Sequence, residues 1–387
     1  MPAAIEAGAF RLAAARAASP LTGALPARET FRVDAWQREG HQREAAVTSL
    51  ATGEAWRVVS DEGLHLRGHD LAPYPFQYVN AGTQADLLQR LTTGAAARGF
   101  ALDRLAVAID NFYGLTGSFA DGSARGDSDP AQIEICLDGG LATAEVAALV
   151  AEALAVSPLI ALLRTPVNCT LAVYAHGRRQ AVPAAIASPA ADAHDPDRVY
   201  EGGPRASNAA ASVIWRSDER EPGTPEIAAA GAATRLVRTV RGRGSVDRDG
   251  HGELETWLAF PGASHFRYRA GSDAPGGLAL AAAGLAFCYM TQLSRHIEHR
   301  PSMAAFKRAR GARVVQYLAC AVEHATDGTA TGAIEAIDTH VFLDADAHDA
   351  QHVELASAAA ATCFLRNTAA ATIPPVVRIV HNGRPLA

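Results

Sequence analysis

Lysine is almost absent from this chain: of 35 basic residues only Lys307 is one, and all the others are arginine. The basic residues form no long run, and 41 acidic residues bring the formal net charge to -6. Such a chain lacks the electrostatic footprint that nucleic acid or an anionic membrane surface requires, so neither is expected as a partner. Cysteine is also scarce. Cys136, Cys169, Cys288, Cys320 and Cys363 are an odd number, widely spaced in 387 residues, and no two form a CxxC. That pattern excludes the disulfide framework of a small secreted domain and gives a structural zinc site or a thioredoxin motif no support. There is no GxSxG, no P-loop and no dinucleotide glycine fingerprint ahead of a helix, so hydrolase, NTPase and Rossmann readings lack a starting residue. No cofactor and no metal are expected.

Long unbroken apolar runs are missing as well. Residues 1–30 hold Glu6, Arg11 and Arg16 among alanines and lack the core of a secretory signal, so they read as an N-terminal extension on a cytoplasmic protein. The longest apolar stretch, 276–293, approaches membrane-spanning length, but it is rich in Ala and Gly, holds Thr291 and Gln292, and runs into Ser294, Arg295 and His296. It reads as a buried core helix.

What is present is the composition of a globular protein, 49% hydrophobic and 20% charged, in a chain long enough for two domains. The chain also repeats itself. An offset of 206 residues carries Gly177 onto Gly383, Ser157 onto Cys363, and Leu137-Asp138 onto Leu343-Asp344. An earlier pair of helices aligns Asp86 with Cys288 at an offset of 202, so the second copy gains residues between these anchors, around 299–312. Each half reads as alternating strands, a long helix, further strands, a second long helix and a final strand, which argues for an α+β fold. The expected units are 1–30 as extension, 31–179 as first half, 180–211 as an Ala-, Pro- and Asp-rich linker, and 212–387 as second half.

The run from Asp61 through His65 and Asp70 to Pro73, Pro75 and Gln77 resembles the approach to the central helix of the OsmC/Ohr family. Phe287-Cys288-Tyr289 and Cys363-Phe364-Leu365-Arg366 resemble that family's two cysteine segments. The resemblance covers both halves. It implies two tandem OsmC-like protomers forming an intramolecular pseudo-dimer, with oligomers beyond it allowed. It also implies a cysteine-based reductase of organic hydroperoxides, in which Cys288 attacks and Cys363 resolves, reset by a thiol reductant. The alternative is a non-peroxidase relative that senses redox state or binds a small ligand.

The chemistry needs two thiols. Only a thiolate is a good nucleophile, and a sulfenic acid left alone in peroxide proceeds to the irreversible sulfinic state unless a second thiol captures it. The first half has Asp86 and Ser157 at the matching positions, so it is expected to be silent. Cys136, Cys169 and Cys320 sit in or beside expected strands and read as core. The family's glutamate nine or ten residues before the reactive cysteine is replaced by Leu278 and Ala279, and Cys288 lies mid-helix, so a cation must come from elsewhere. Arg241 and Arg243 are the candidates. His296, two turns after Cys288, reads as a helix-end histidine, and His348 with His352 as part of a solvated helix start rather than a metal site.

Overall fold

The computed structural model describes residues 8–13, 18–21, 28–196, 212–223, 235–326 and 329–386. Most of the extension and 197–211, the later part of the expected linker, lie outside the described residues. The elements before the linker are β1 (Phe10–Leu12), β2 (Arg28–Gln37), β3 (Arg43–Ser49), β4 (Ala55–Ser60), α1 (Pro75–Ala97), β5 (Leu102–Thr116), β6 (Arg125–Gly139), α2 (Thr143–Val156), α3 (Pro158–Arg164), β7 (Asn168–Ala175) and β8 (Arg178–Gln180). After it come β9 (Ile214–Arg220), β10 (Leu236–Val246), β11 (Gly252–Leu258), β12 (Ser264–Ala270), α4 (Gly277–His299), β13 (Arg310–His324), β14 (Ala330–Asp344), α5 (Asp349–Thr362), α6 (Phe364–Ala369), β15 (Val376–His381) and β16 (Arg384–Pro385). The order four strands, helix, two strands, two helices, two strands occurs on each side. Corresponding members agree in length: α1 and α4 have 23 residues each, and α2 and α5 have 14 each.

The fold is mixed α and β, with two eight-stranded sheets. Each sheet draws on both sides of the linker. The first runs β1-β4-β3-β2-β13-β14-β7-β8 and the second β16-β15-β6-β5-β10-β11-β12-β9. The seams are the antiparallel pairs β2 with β13 and β5 with β10, and the parallel pairs β7 with β14 and β6 with β15. Neither half of the chain therefore completes a sheet by itself.

Between the sheets lie α1 and α4, back to back, with α1 against β5, β10 and β11 and α4 against β2, β3 and β13. The helices approach through glycine. A Cβ on Gly82 would lie 2.6 Å from the Gly277 carbonyl oxygen, and one on Gly284 would lie 2.7 Å from that of Pro75. No side chain fits at these crossings. α4 is apolar on all sides and long enough to cross a membrane by length and composition, yet 94% of its apolar window is buried within the protein. α1 instead carries buried amides that are satisfied across the layers. Gln77 donates to the Thr256 carbonyl at 3.1 Å, and Asn80 donates to that of Ile109 at 3.0 Å.

Parts of the expected extension and linker belong to or pack on the first sheet. β1 pairs with β4, and Ala190 and Ala193 pack with Tyr174, Tyr317 and Phe342. Ser188 donates to Asp338 at 2.9 Å, Asp338 meets His340 at 3.0 Å, and Arg313 pairs with Asp195 at 2.7 Å. The spacing of Ala and Pro there carries no period because the segment is held by single polar anchors, not by a repeating face. The stretch around 299–312, where additional residues were expected, holds a 3₁₀ segment, Pro301–Arg308, between α4 and β13.

Candidate functional site

α4 presents Cys288 at mid-helix, and Cys363 caps the N-terminus of α6. Both are buried and free, and their Sγ atoms lie 3.4 Å apart. Cys288 lines a cavity of about 410 Å³, whose walls include Tyr74, Phe76, Tyr113, Phe119 and Phe364. That volume suits a small, largely apolar ligand. Cys363 does not line it, so a molecule in the cavity meets Cys288 first.

The two sulfurs differ in their surroundings. Burial pushes the Cys288 thiol well up, and Cys363 and the Glu62 carboxylate add to that, with only the Leu365 N–H opposing. Burial acts on Cys363 in the same sense, but the hydrogen bond shared with Cys288, the backbone N–H groups of Arg366 and Leu365, and the Arg366 guanidinium outweigh it. Cys363 is therefore held below the ordinary thiol value. Ionisation is therefore easier at Cys363 than at Cys288.

Neither Arg241 nor Arg243 provides the expected cation. Arg241 sits near Asp110 at 3.7 Å and Arg243 binds Glu255 at 2.6 Å, both with largely exposed side chains on β10. The strand alternates sides, and these two point away from the helices. Arg43, fully buried, lies within electrostatic range of the Cys288 sulfur. Its Nη1 lies 3.3 Å from Glu62 and 2.9 Å from the His41 carbonyl, and its Nη2 donates to Ser294 at 3.3 Å. Glu62 also accepts a hydrogen bond from Thr291, three residues beyond Cys288 on α4. Arg43 opens β3 and Glu62 follows β4, so the first half supplies an arginine and a glutamate to cysteines of the second. No local signal distinguishes Arg43 from the other arginines. Glu62 could have been noticed as the second of two acids that follow a strand, inside the stretch that carries the family resemblance.

Other groups were missed for the same reason. Arg238 and Arg295 line the cavity, each over an aromatic ring, Phe260 at 5.3 Å and Phe119 at 5.1 Å. His65, also in the wall, is held neutral, its value pushed down to about 3 by burial. His296 does not reach the cavity; it is buried with Nε2 2.9 Å from Thr362 Oγ1, and burial pushes it down to about 4. His352 is fully buried beside His176 and Phe306, not on a solvated turn as expected. Cys169 and Cys320 are buried in strands, with values raised by burial to about 11 and about 12, while Cys136 is only partly buried.

At the matching place in the first half, Ser157 caps α3 and donates to Asp86 at 2.5 Å, and Asp86 pairs with Arg90 at 2.9 Å. Gly252 opens β11 where Arg43 opens β3. Thiols and buried arginine are absent there together. Replacing Asp86 and Ser157 jointly by alanine is expected to leave peroxide turnover unchanged. Melting should show a loss of about 1–3 kcal/mol, because Arg90 loses its carboxylate. A large fall in turnover would show that this half takes part in the chemistry.

No protein-family model matches the chain, and no curated protein matches it. Among solved structures it is similar to an OsmC-like hydroperoxide resistance protein from Jannaschia sp. CCS1, at 23% identity over 33% of this chain and 83% of that one. The TM-score is 0.21, which assigns neither fold nor function.

Proposed function

We propose that the protein is a thiol peroxidase that reduces organic hydroperoxides, Cys288 attacking and Cys363 resolving. The observation that carries this is the free, buried Cys288–Cys363 pair, 3.4 Å apart, with only Cys288 on the cavity wall. We also infer a tandem duplication in which the halves form an intramolecular pseudo-dimer. The repeated element order, the strand exchange between halves and the α1–α4 contact support that reading.

In this reaction Cys363 takes the proton of Cys288, leaving a Cys288 thiolate beside Arg43. The thiolate attacks the outer peroxide oxygen, the O–O bond breaks, and the sulfur becomes a sulfenic acid. The alkoxide leaves and takes the proton from Cys363. The Cys363 thiolate then displaces hydroxide from the sulfenic acid, which is protonated to water as the disulfide forms. Two electrons from an external thiol reductant return the pair to its starting state. The Arg43 cation stabilises the negative sulfur, while Glu62 and Ser294 fix the guanidinium's position.

The test is rapid-mixing oxidation of the reduced protein with one equivalent of cumene hydroperoxide or hydrogen peroxide, followed by thiol counting. The expected result is loss of two thiols with the organic peroxide and a slower reaction with hydrogen peroxide. The Cys363 value is depressed, so the Cys363 thiolate is present above it and lost as pH falls through it; the rate should fall on acidification. Retention of all five thiols would favour the small-ligand reading instead.

A further inference from the structure

On the outer face of the second sheet, far in the chain from the cysteine pair, three strands converge three metal-ligating side chains. We propose that Glu219, Glu255 and His265 form a binding site for a first-row divalent metal ion of the zinc type, which clips the edge strand β9 to β11 and β12. Their ligand atoms all lie within 4.8 Å of one another. His265 Nδ1 is 3.4 Å from Glu255 Oε1 and 3.6 Å from Glu219 Oε2. Both distances are too long for hydrogen bonds of ordinary strength. They are close to the separation of two ligand atoms on one tetrahedral zinc, about 3.4 Å for bonds of about 2.1 Å.

His265 is the independent indication. It is 7% exposed, and neither ring nitrogen makes a hydrogen bond among the described residues. A buried imidazole without a hydrogen bond is costly unless a charge fills the space it faces, and here that space is bounded by carboxylates 3.4 to 3.9 Å away. Trp257 stacks on the ring at 4.7 Å and 7°, which fixes the plane of Nδ1. Glu219 reaches the histidine because β9 bulges against β12 between the pairs Ser264–Arg220 and Phe266–Arg216.

Four further charges face the cluster. Arg243 holds Glu255 Oε2 at 2.6 Å and Arg267 holds Glu219 Oε1 at 2.9 Å, so each carboxylate is gripped mainly by its far oxygen, with Arg267 Nε also donating a long hydrogen bond to Glu255 Oε1 at 3.5 Å. Those guanidinium groups also lie 3.6 Å from Glu219 Oε2 and 3.5 Å from Glu255 Oε1, close enough to oppose a cation. Glu221, 3.9 Å from His265 Nε2, and Glu253, 3.8 Å from Arg267, offset them. Glu219 is 48% exposed at its side chain, which gives the ion an entry path and leaves a coordination position for water.

Calorimetric titration of zinc chloride into the reduced full chain, with cobalt(II) absorption as a second readout, tests this. One saturable site is expected, with tetrahedral cobalt bands, no thiolate-to-cobalt charge transfer, and a higher melting temperature when zinc is bound. Glu219→Gln, at an exposed position that the fold tolerates, should weaken binding at least about tenfold, and His265→Ala should abolish it. Absence of a saturable site, binding unchanged in Glu219→Gln, or a charge-transfer band reporting capture by the Cys288–Cys363 pair would each overturn the proposal.

Discussion

Cys288→Ser is expected to abolish consumption of an organic hydroperoxide, because a serine hydroxyl at that place cannot become a sulfenic acid. Cys363→Ser should behave differently. It removes the group that takes the Cys288 proton and the group that closes the disulfide, so one slow turnover is expected, followed by accumulation of sulfenic or over-oxidised Cys288. Mass spectrometry after one and ten equivalents of peroxide separates these states. Unmodified Cys288 in reduced Cys363→Ser under excess peroxide would remove the basis for the peroxidase reading. Exchanged behaviour of the two variants would mean that the sulfurs act in the opposite order. The cavity argues against that order, since Cys288 lines it and Cys363 does not.

Arg43→Met should be severe in two separable ways. Glu62 would be left charged and fully buried without its partner, and breaking a buried ion pair in this manner costs about 3–5 kcal/mol. Urea unfolding measures that loss. The Cys288 thiolate would also lose its cation, and the rate of its oxidation should drop about a hundredfold. Combining Arg43→Met with Glu62→Leu removes both charges at similar volume, so stability should return while the rate stays low. Recovery of both would show that Arg43 serves packing alone.

The strand and helix pattern was legible in the sequence because it is a local property. Alternation marks residues 105–110 of β5 within their own six residues, and the largely apolar stretch that becomes α4 announces burial by its composition. The spacing shared by Ser157 and Cys363, and the joint absence of thiols from the first half, likewise needed only the chain itself to be noticed. Those positions led to the two sulfurs that the fold places 3.4 Å apart.

Tertiary structure decided everything that depends on partners far away in sequence. That the first sheet takes β13 and β14, and the second takes β5 and β6, follows from pairings across more than a hundred residues that no periodicity encodes. The same exchange brings Arg43 and Glu62 to cysteines more than two hundred residues away, and turns Arg241 and Arg243 outward through the alternation of a single strand. Which sulfur ionises more easily was likewise undecided by residue type, since both are cysteine. Cys363 ionises more easily because that sulfur receives backbone N–H groups at the start of α6 and faces Arg366, whereas Cys288 is buried and opposed by a carboxylate. Charge stabilisation of this kind comes from solvent exclusion and from distances of a few ångströms, and both exist only once the chain has folded.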